Sequence, residues 1–287
     1  MYRKIVVGTD LSETAAIAVE HASWIAKKVD AELILVHAGS DPGEALEELG
    51  KKYDAETVIA PGPPAEVLLS EAERLKADLL VVGSVGMAGP KRFMLGNVPN
   101  KVSHHADKDL LIVKTQKRKK DGEGYKKILA GTDGSPTAMR AVEMASDFAK
   151  RLGAQLVIAC VFEPVSEHEQ EQYRRAGAND AIAQWSADRS TRETPDEFKW
   201  RIAGTSHAED VLDRALSCAT EHEVVPELRA IEGNPAEELL TLAENENFDL
   251  IALGSVGMAG PKRFMLGNVP HRISHHAPTD VLVLHTA

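Results

Sequence analysis

The chain lacks the features that would place it in several functional classes. Only two cysteines occur in 287 residues, Cys160 and Cys218, each in an apolar or helix-like context. A disulfide scaffold is therefore not the organising device, and both read as buried thiols. No apolar run approaches the roughly eighteen residues that a membrane span requires, so no membrane partner is expected. The opening MYRKIVVGTD lacks the longer apolar segment and small-residue cleavage site of a secretory signal, which makes a cytoplasmic location the expectation. A net charge of -11 argues against general binding to nucleic acid, and the basic stretch TQKRKKDGEGYKK at 115–127 reads as a solvated connector. Neither a nucleophile elbow nor a Walker lysine is written, and no Cys/His spacing suits zinc. No catalytic residue and no metal ligand is assigned, and a metabolic enzyme is not the expectation.

What the chain does contain is duplication. GSVGMAGPKRFMLGNVP at 83–99 recurs unchanged at 254–270. A shift of 123 residues lays 2–38 over 125–161, and a shift of 171 aligns PAEVLL at 64–69 with PAEELL at 235–240 and continues to the end. Two units follow, 1–115 and 125–287, joined by a basic linker at 116–124, the second with a charged insertion near 163–206. Within the insertion we expect helices at about 167–188 and 207–222 and a turn around Ser190–Pro195, with Trp185 and Trp200 embedded in the segment. A peripheral elaboration is the preferred reading, with a lid or partner surface as the alternative.

Each unit alternates short apolar runs with helical periodicity. The runs are 4–8, 32–36, 56–59, 79–82 and 110–114 in the first unit, and 127–131, 155–159, 227–230, 250–253 and 281–285 in the second. Strands apolar throughout require cover on both faces, which predicts an α/β fold with an open five-stranded parallel sheet per unit. In such sheets ligands sit beyond the carboxyl ends of the strands, where strand order reverses. Two motifs fall there. Gly8-Thr9-Asp10 and Gly131-Thr132-Asp133 end the first strand of each unit, with Ser12 and Ser135 placed to cap the next helix. Asp10 and Asp133 are candidates to accept hydrogen bonds from a ribose or base or to help hold a metal through water; the alternative, that they stabilise the turn, does not exclude ligand contact.

The second motif is the repeated stretch itself. Gly83, Gly86, Gly89 and Gly96, and Gly254, Gly257, Gly260 and Gly267, follow the fourth strand, where glycine lets successive N–H groups wrap an anion. Asn97-Val98-Pro99 and Asn268-Val269-Pro270 read as helix starts with asparagine as the N-cap, and a helix N-terminus suits phosphate. Lys91, Arg92, Lys262 and Arg263 bring positive charge to the loop, while Phe93 to Leu95 and Phe264 to Leu266 are candidates for an assembly contact. The His pairs at 104–105 and 275–276 are poorly spaced to chelate one metal and read as helix-end residues.

With these motifs in place the chain resembles a tandem universal stress protein of the nucleotide-binding branch. Gly83, Gly86 and Gly96, and Gly254, Gly257 and Gly267, fit the family's glycine spacing. The resemblance implies a Rossmann-like fold of the adenine nucleotide alpha hydrolase kind, strand order 3-2-1-4-5, and antiparallel pairing of the fifth strands between units. It implies ATP or another adenine nucleotide, with Mg2+ or Mn2+, in the crevice between strands one and four. The adenosine would lie near Asp10 and Asp133, the base near Val36 and Ala159, and the phosphates on the glycines and the first turns at Asn97-Val98 and Asn268-Val269. A stress-response regulatory role follows, with an unused nucleotide fold or a slow ATPase as alternatives, and with pairing of the two units and a homodimer as the expected assembly. One departure stands out: the Ser or Thr expected after the last glycine is Asn97 in one copy and Asn268 in the other. The bulkier amide leaves the choice open among a triphosphate, a monophosphate, another adenine ligand and an empty pocket.

Overall fold

The computed structural model describes residues 2–85, 95–115, 124–162, 196–256 and 266–285, with 196–206 given as helical backbone. The first unit runs β1 (Lys4–Gly8), α1 (Glu13–Val29), β2 (Glu32–Ala38), α2 (Glu44–Tyr53), β3 (Glu56–Ala60), α3 (Pro64–Arg74), β4 (Leu79–Gly83), α4 (Asn97–His105) and β5 (Asp109–Val113). The second runs β6 (Lys127–Gly131), α5 (Pro136–Leu152), β7 (Gln155–Phe162), α6 (Asp196–Glu221), β8 (Glu227–Glu232), α7 (Pro235–Asn245), β9 (Leu250–Gly254), α8 (Asn268–His276) and β10 (Asp280–Leu284). The expected helix at 167–188 lies outside the described residues, whereas the one at 207–222 falls almost wholly in the longer α6.

Local chemistry accounts for the elements. Helix α1 begins where the Ser12 side chain accepts from the Ala15 N–H, carries Glu13 in its first turn and Lys27 and Lys28 in its last, and ends on Asp30 in the left-handed region. Ser135 does the same for α5 by accepting from the Ala138 N–H. All ten strands join one sheet in the order β3-β2-β1-β4-β5-β10-β9-β6-β7-β8. Every neighbouring pair is parallel except β5 and β10, which meet antiparallel with Leu111 opposite Leu282. Each half thus has the order 3-2-1-4-5, and the fifth strands join the halves.

Alternate strand residues feed two cores, as a sheet covered on both faces requires. Ile5, Val7, Leu35, Leu79, Val81 and Leu111 pack with α1, α2, α5 and α6. Val6, Ile34, Leu80, Val82, Leu110 and Ile112 pack on the opposite face with α3, α4, α7 and α8. Leu95 belongs to the second core and Leu266 packs against it, which corrects their assignment to an assembly contact. Phe93, Met94, Phe264 and Met265 lie outside the described residues. Cys160 is buried, but Cys218 is only partly covered, a correction to its reading as a buried thiol.

The join between units is held by two buried carboxylates. Asp109, at the start of β5, accepts from the Tyr2 hydroxyl at 2.9 Å, from both terminal nitrogens of Arg140 on α5, and from the His285 N–H at 3.0 Å. Asp280, at the start of β10, accepts from the Tyr125 hydroxyl at 2.9 Å and the Lys114 N–H at 2.8 Å, and pairs with His21 of α1 at 2.9 Å. Burial, reinforced by the adjacent carboxylate, raises both tyrosine pKa values well above the ordinary phenol value. Apolar periodicity started these strands one residue late, because it passes over a buried aspartate.

Candidate functional site

Strands β1 and β4 are neighbours, yet their following connections go to opposite faces of the sheet, so a crevice opens beyond their carboxyl ends. A cavity of about 260 Å³ fills it. Gly8, Thr9, Asp10 and Val36 line one side, and Gly83, Gly96, Asn97 and Val98 the other. The structure therefore brings the sequence-selected residues of the first unit together, apart from Gly86, which lies outside the described residues. Ala15, Ala38, Leu68 and Val82 also line the cavity and were missed. Leu68 lies within the repeated PAEVLL and Val82 directly before the first loop glycine, so the repeat and the strand end carry the signal that marks them.

The site is built by backbone as much as by side chains. Thr9 donates its N–H to the Val36 carbonyl at 3.0 Å, which continues the β1–β2 ladder beyond Gly8, and its hydroxyl oxygen accepts from the Leu11 N–H at 3.1 Å. The Asp10 carboxylate accepts from the Ser12 N–H at 3.1 Å, and Asp133 from the Ser135 N–H at 2.9 Å. Both aspartates thus stabilise their turns, and the exposed Asp10 does so at the rim of the cavity. A Cβ on Gly8 would fall 2.7 Å from Leu68 Cδ1, so glycine here lets α3 close over the end of β1.

The start of α4 needs one correction. Gly96, extended at φ -63° and ψ 166°, is the N-cap, and Asn97 is the first helical residue with no side-chain capping bond. The same holds for Gly267 and Asn268 in α8. The glycine carbonyl already accepts from the N–H four residues on, at Asn100 and His271, which places the asparagine inside the helix. Asn97 and Val98 then present N–H groups that have no acceptor within the helix, while Pro99 has none to present. Neither α4 nor α8 has an acidic residue in its first turn, whereas α1, α3 and α7 carry Glu13, Glu66 and Glu237 there. The positive end of α4 therefore faces the crevice without a carboxylate of its own.

In the second unit Thr132 donates its N–H to the Ala159 carbonyl at 2.9 Å, and Gly131, Asp133, Gly254, Gly267, Asn268 and Val269 take the corresponding positions. Gly89, Lys91, Arg92, Gly257, Gly260, Lys262 and Arg263 lie outside the described residues. The His pairs are not simply helix ends. Helices α4 and α8 meet so that the His104 and His271 rings are 5.1 Å apart and those of His271 and His275 4.6 Å apart, with His275 Nε2 3.1 Å from Asn100 Oδ1. Burial first, then the neighbouring His271, His276, Lys114 and His104, lowers the pKa of His275 to about 4. Among the described residues no three His, Cys, Asp or Glu side chains are arranged to hold a metal ion, and no helix is long and apolar enough to cross a membrane.

Comparison with known proteins agrees with this architecture. The family model described as the universal stress protein family matches residues 1–54, 40–114 and 124–285. A universal stress protein of Mycobacterium tuberculosis is 32% identical over 166 residues, covering 56% of this chain and 97% of that protein. A solved putative universal stress protein of Pseudomonas aeruginosa superposes with a TM-score of 0.69 at 17% identity, covering 99% of this chain and 93% of that one, a likeness of fold. A universal stress protein solved in complex with cAMP is 36% identical, covering 40% of this chain and 98% of that one, with a TM-score of 0.36.

Proposed function

Because the chain belongs to the universal stress protein family and shares its general stress-response role, we propose that it acts as a regulatory protein that binds an adenine nucleotide in the crevice between β1 and β4. The observation that carries this reading is the cavity of about 260 Å³ at the switch point of the sheet, with Asp10 and Val36 on one side and, on the other, the start of α4, where no side chain caps the helix. Val36, Ala38 and Leu68 supply an apolar wall for a base. Asp10 can accept from a ribose hydroxyl, and the N–H groups of Asn97 and Val98 can donate to a phosphate. The Asn97 amide occupies room at the same helix start, which suits a shorter phosphate chain as readily as a triphosphate. A divalent ion would be held by the nucleotide phosphates together with Asp10 through water. Ligand occupancy would alter what partners meet at the mouth of the crevice, without turnover of a metabolite.

Isothermal titration of extensively washed protein with ATP, ADP, AMP and cyclic AMP, each with and without Mg2+, tests the reading. Saturable binding that Asp10→Ala weakens at least tenfold supports it. Heats indistinguishable from dilution for all four would overturn it and favour an interaction module that keeps the fold without a ligand. Steady hydrolysis abolished by Asp10→Ala would instead move the protein among the slow ATPases.

A further inference from the structure

The two crevices have nearly the same sequence and are not built alike. In the first unit Val82 lines the cavity, and a Cβ placed on Gly8 would find only Leu68 among its three nearest atoms. The residue corresponding to Val82 is Leu253, one methylene longer. A Cβ on Gly131 would meet Leu253 Cδ2 at 2.6 Å, ahead of Leu239 Cδ1 at 2.9 Å. The longer side chain thus lies over the end of β6, at the position that corresponds to Val82 in the cavity wall of the first unit.

The mouth differs as well. A Cβ on Gly83 would have 3.4 Å to Thr115 Cγ2 and 3.8 Å to Ala18 Cβ, but one on Gly254 would fall 2.5 Å from Thr137 Oγ1 and 2.6 Å from the Ala138 nitrogen. The first turn of α5 therefore lies directly on the end of β9. The Thr137 hydroxyl donates to the Val256 carbonyl and ties the helix to the connection that leaves β9. The corresponding Thr14 turns to its own turn instead, 2.9 Å from Ser12 Oγ.

The longer middle of the second unit supplies a reason. Helix α6 packs against the turn between β6 and α5: the Arg214 guanidinium donates to the Gly134 carbonyl at 3.2 Å, and a Cβ on Gly134 would lie 2.9 Å from Val211 Cγ2. Gly134 sits at φ +78°, and Leu11 occupies the corresponding place at φ 62°. The absent side chain is what admits α6 to this turn, and α6 in turn braces the start of α5 against β9.

We propose that the chain binds one nucleotide rather than two: the first crevice takes the ligand, and the second is closed by Leu253 below and by the Thr137–Val256 clasp above, with α6 as the brace. The proposal rests on the nucleotide reading of the first crevice. Its test is the stoichiometry of the full chain with AMP and with ATP, by titration calorimetry and native mass spectrometry. One ligand per chain is expected. Val82→Leu, which copies the second unit into the first, should weaken that binding at least tenfold. The double variant Thr137→Ala with Leu253→Val should raise the stoichiometry to two, and one that stays at one would overturn the assignment of these side chains as the lock. Two ligands on the unmodified chain, or undiminished affinity in Val82→Leu, would overturn the proposal. Absence of binding at any stoichiometry would instead overturn the nucleotide reading beneath it. Circular dichroism of each variant checks that it retains the parent fold.

Discussion

Replacing Asp109 by asparagine isolates what holds the two units in one sheet, because the volume is kept and only charge and acceptor capacity change. The carboxylate accepts from Tyr2, His285 and both terminal nitrogens of Arg140, and its side chain is only 2% exposed. An amide offers one acceptor oxygen and turns its own NH2 toward donors, so at least two charge-assisted contacts are lost. At about 1.5–3 kcal/mol each, the gross cost is about 3–6 kcal/mol. Two facts reduce it: the Arg140 side chain is 32% exposed, and its Nη1 keeps the His285 carbonyl at 2.6 Å. The net expectation is about 2–4 kcal/mol, or a melting temperature lower by about 4–8 °C in a chain of this size. Urea unfolding followed by circular dichroism measures it, with Arg140→Met and the double variant completing a cycle whose coupling should exceed about 1 kcal/mol. A loss under about 1 kcal/mol for Asp109→Asn would refute the claim that this carboxylate is a principal tie between the units.

The His104, His271 and His275 seam predicts acid sensitivity. His275 has a folded pKa near 4 against an ordinary 6.5, so its contribution is complete above about pH 6.5 and is lost as pH falls toward 4, where the unfolded chain has bound the proton first. Burial lowers His104 and His285 in the same direction, and His275→Gln should flatten the fall in urea midpoint between pH 7 and 5; an unchanged slope would count against the seam. Ser12→Ala and Ser135→Ala each remove an N-cap and should cost about 1 kcal/mol in chemical denaturation, with no loss arguing that backbone geometry alone starts α1 and α5. Burial, aided by Asp133, pushes the Cys160 thiol up to about 11, so at pH 8 a disulfide reagent should modify the partly covered Cys218 first and reach Cys160 only on unfolding; the reverse order would contradict this burial pattern.

Much of the sheet was legible because strand and ligand grammar coincide: each of β1, β4, β6 and β9 is an apolar run that ends on glycine, so one residue type marks both the strand end and the crevice. The strand order could not be read from spacing; it came with the family resemblance, since nothing local says that β1 sits between β2 and β4. The ties between units were invisible for a related reason. Asp109 meets Arg140, and Asp280 meets His21, across the chain, and the two partners do not occupy corresponding helix positions. The histidine seam depends on His271, which stands where the first unit has Asn100, so the duplicated His pairs alone did not show it. Asparagine is the stronger capping type and so points to Asn97 as the N-cap, but the extended Gly96 performs that role.

A duplicated motif shows that two sites had one origin, not that both remain open. Every glycine of GSVGMAGPKRFMLGNVP is repeated, so the backbone requirement of a cradle is written twice, and any loss of function in one copy has to come from residues around it. The structure points to such residues outside the repeat: Leu253 immediately before it, Thr137 on the helix opposite, and Gly134 admitting α6. Leu253 in place of Val82 and Gly134 in place of Leu11 are changes of residue, whereas Thr137 matches Thr14 in type and differs only in what it bonds, and none of the three lies in the sequence that identifies the motif. Identity of the repeated sequence and closure of the second crevice are therefore compatible if the second copy is kept for the path of α8. That path carries His271 and His275 to α4, the helix whose N-terminus faces the open crevice. On this argument the closed copy serves as the fixed half of a pair, and the open copy is the half that can respond.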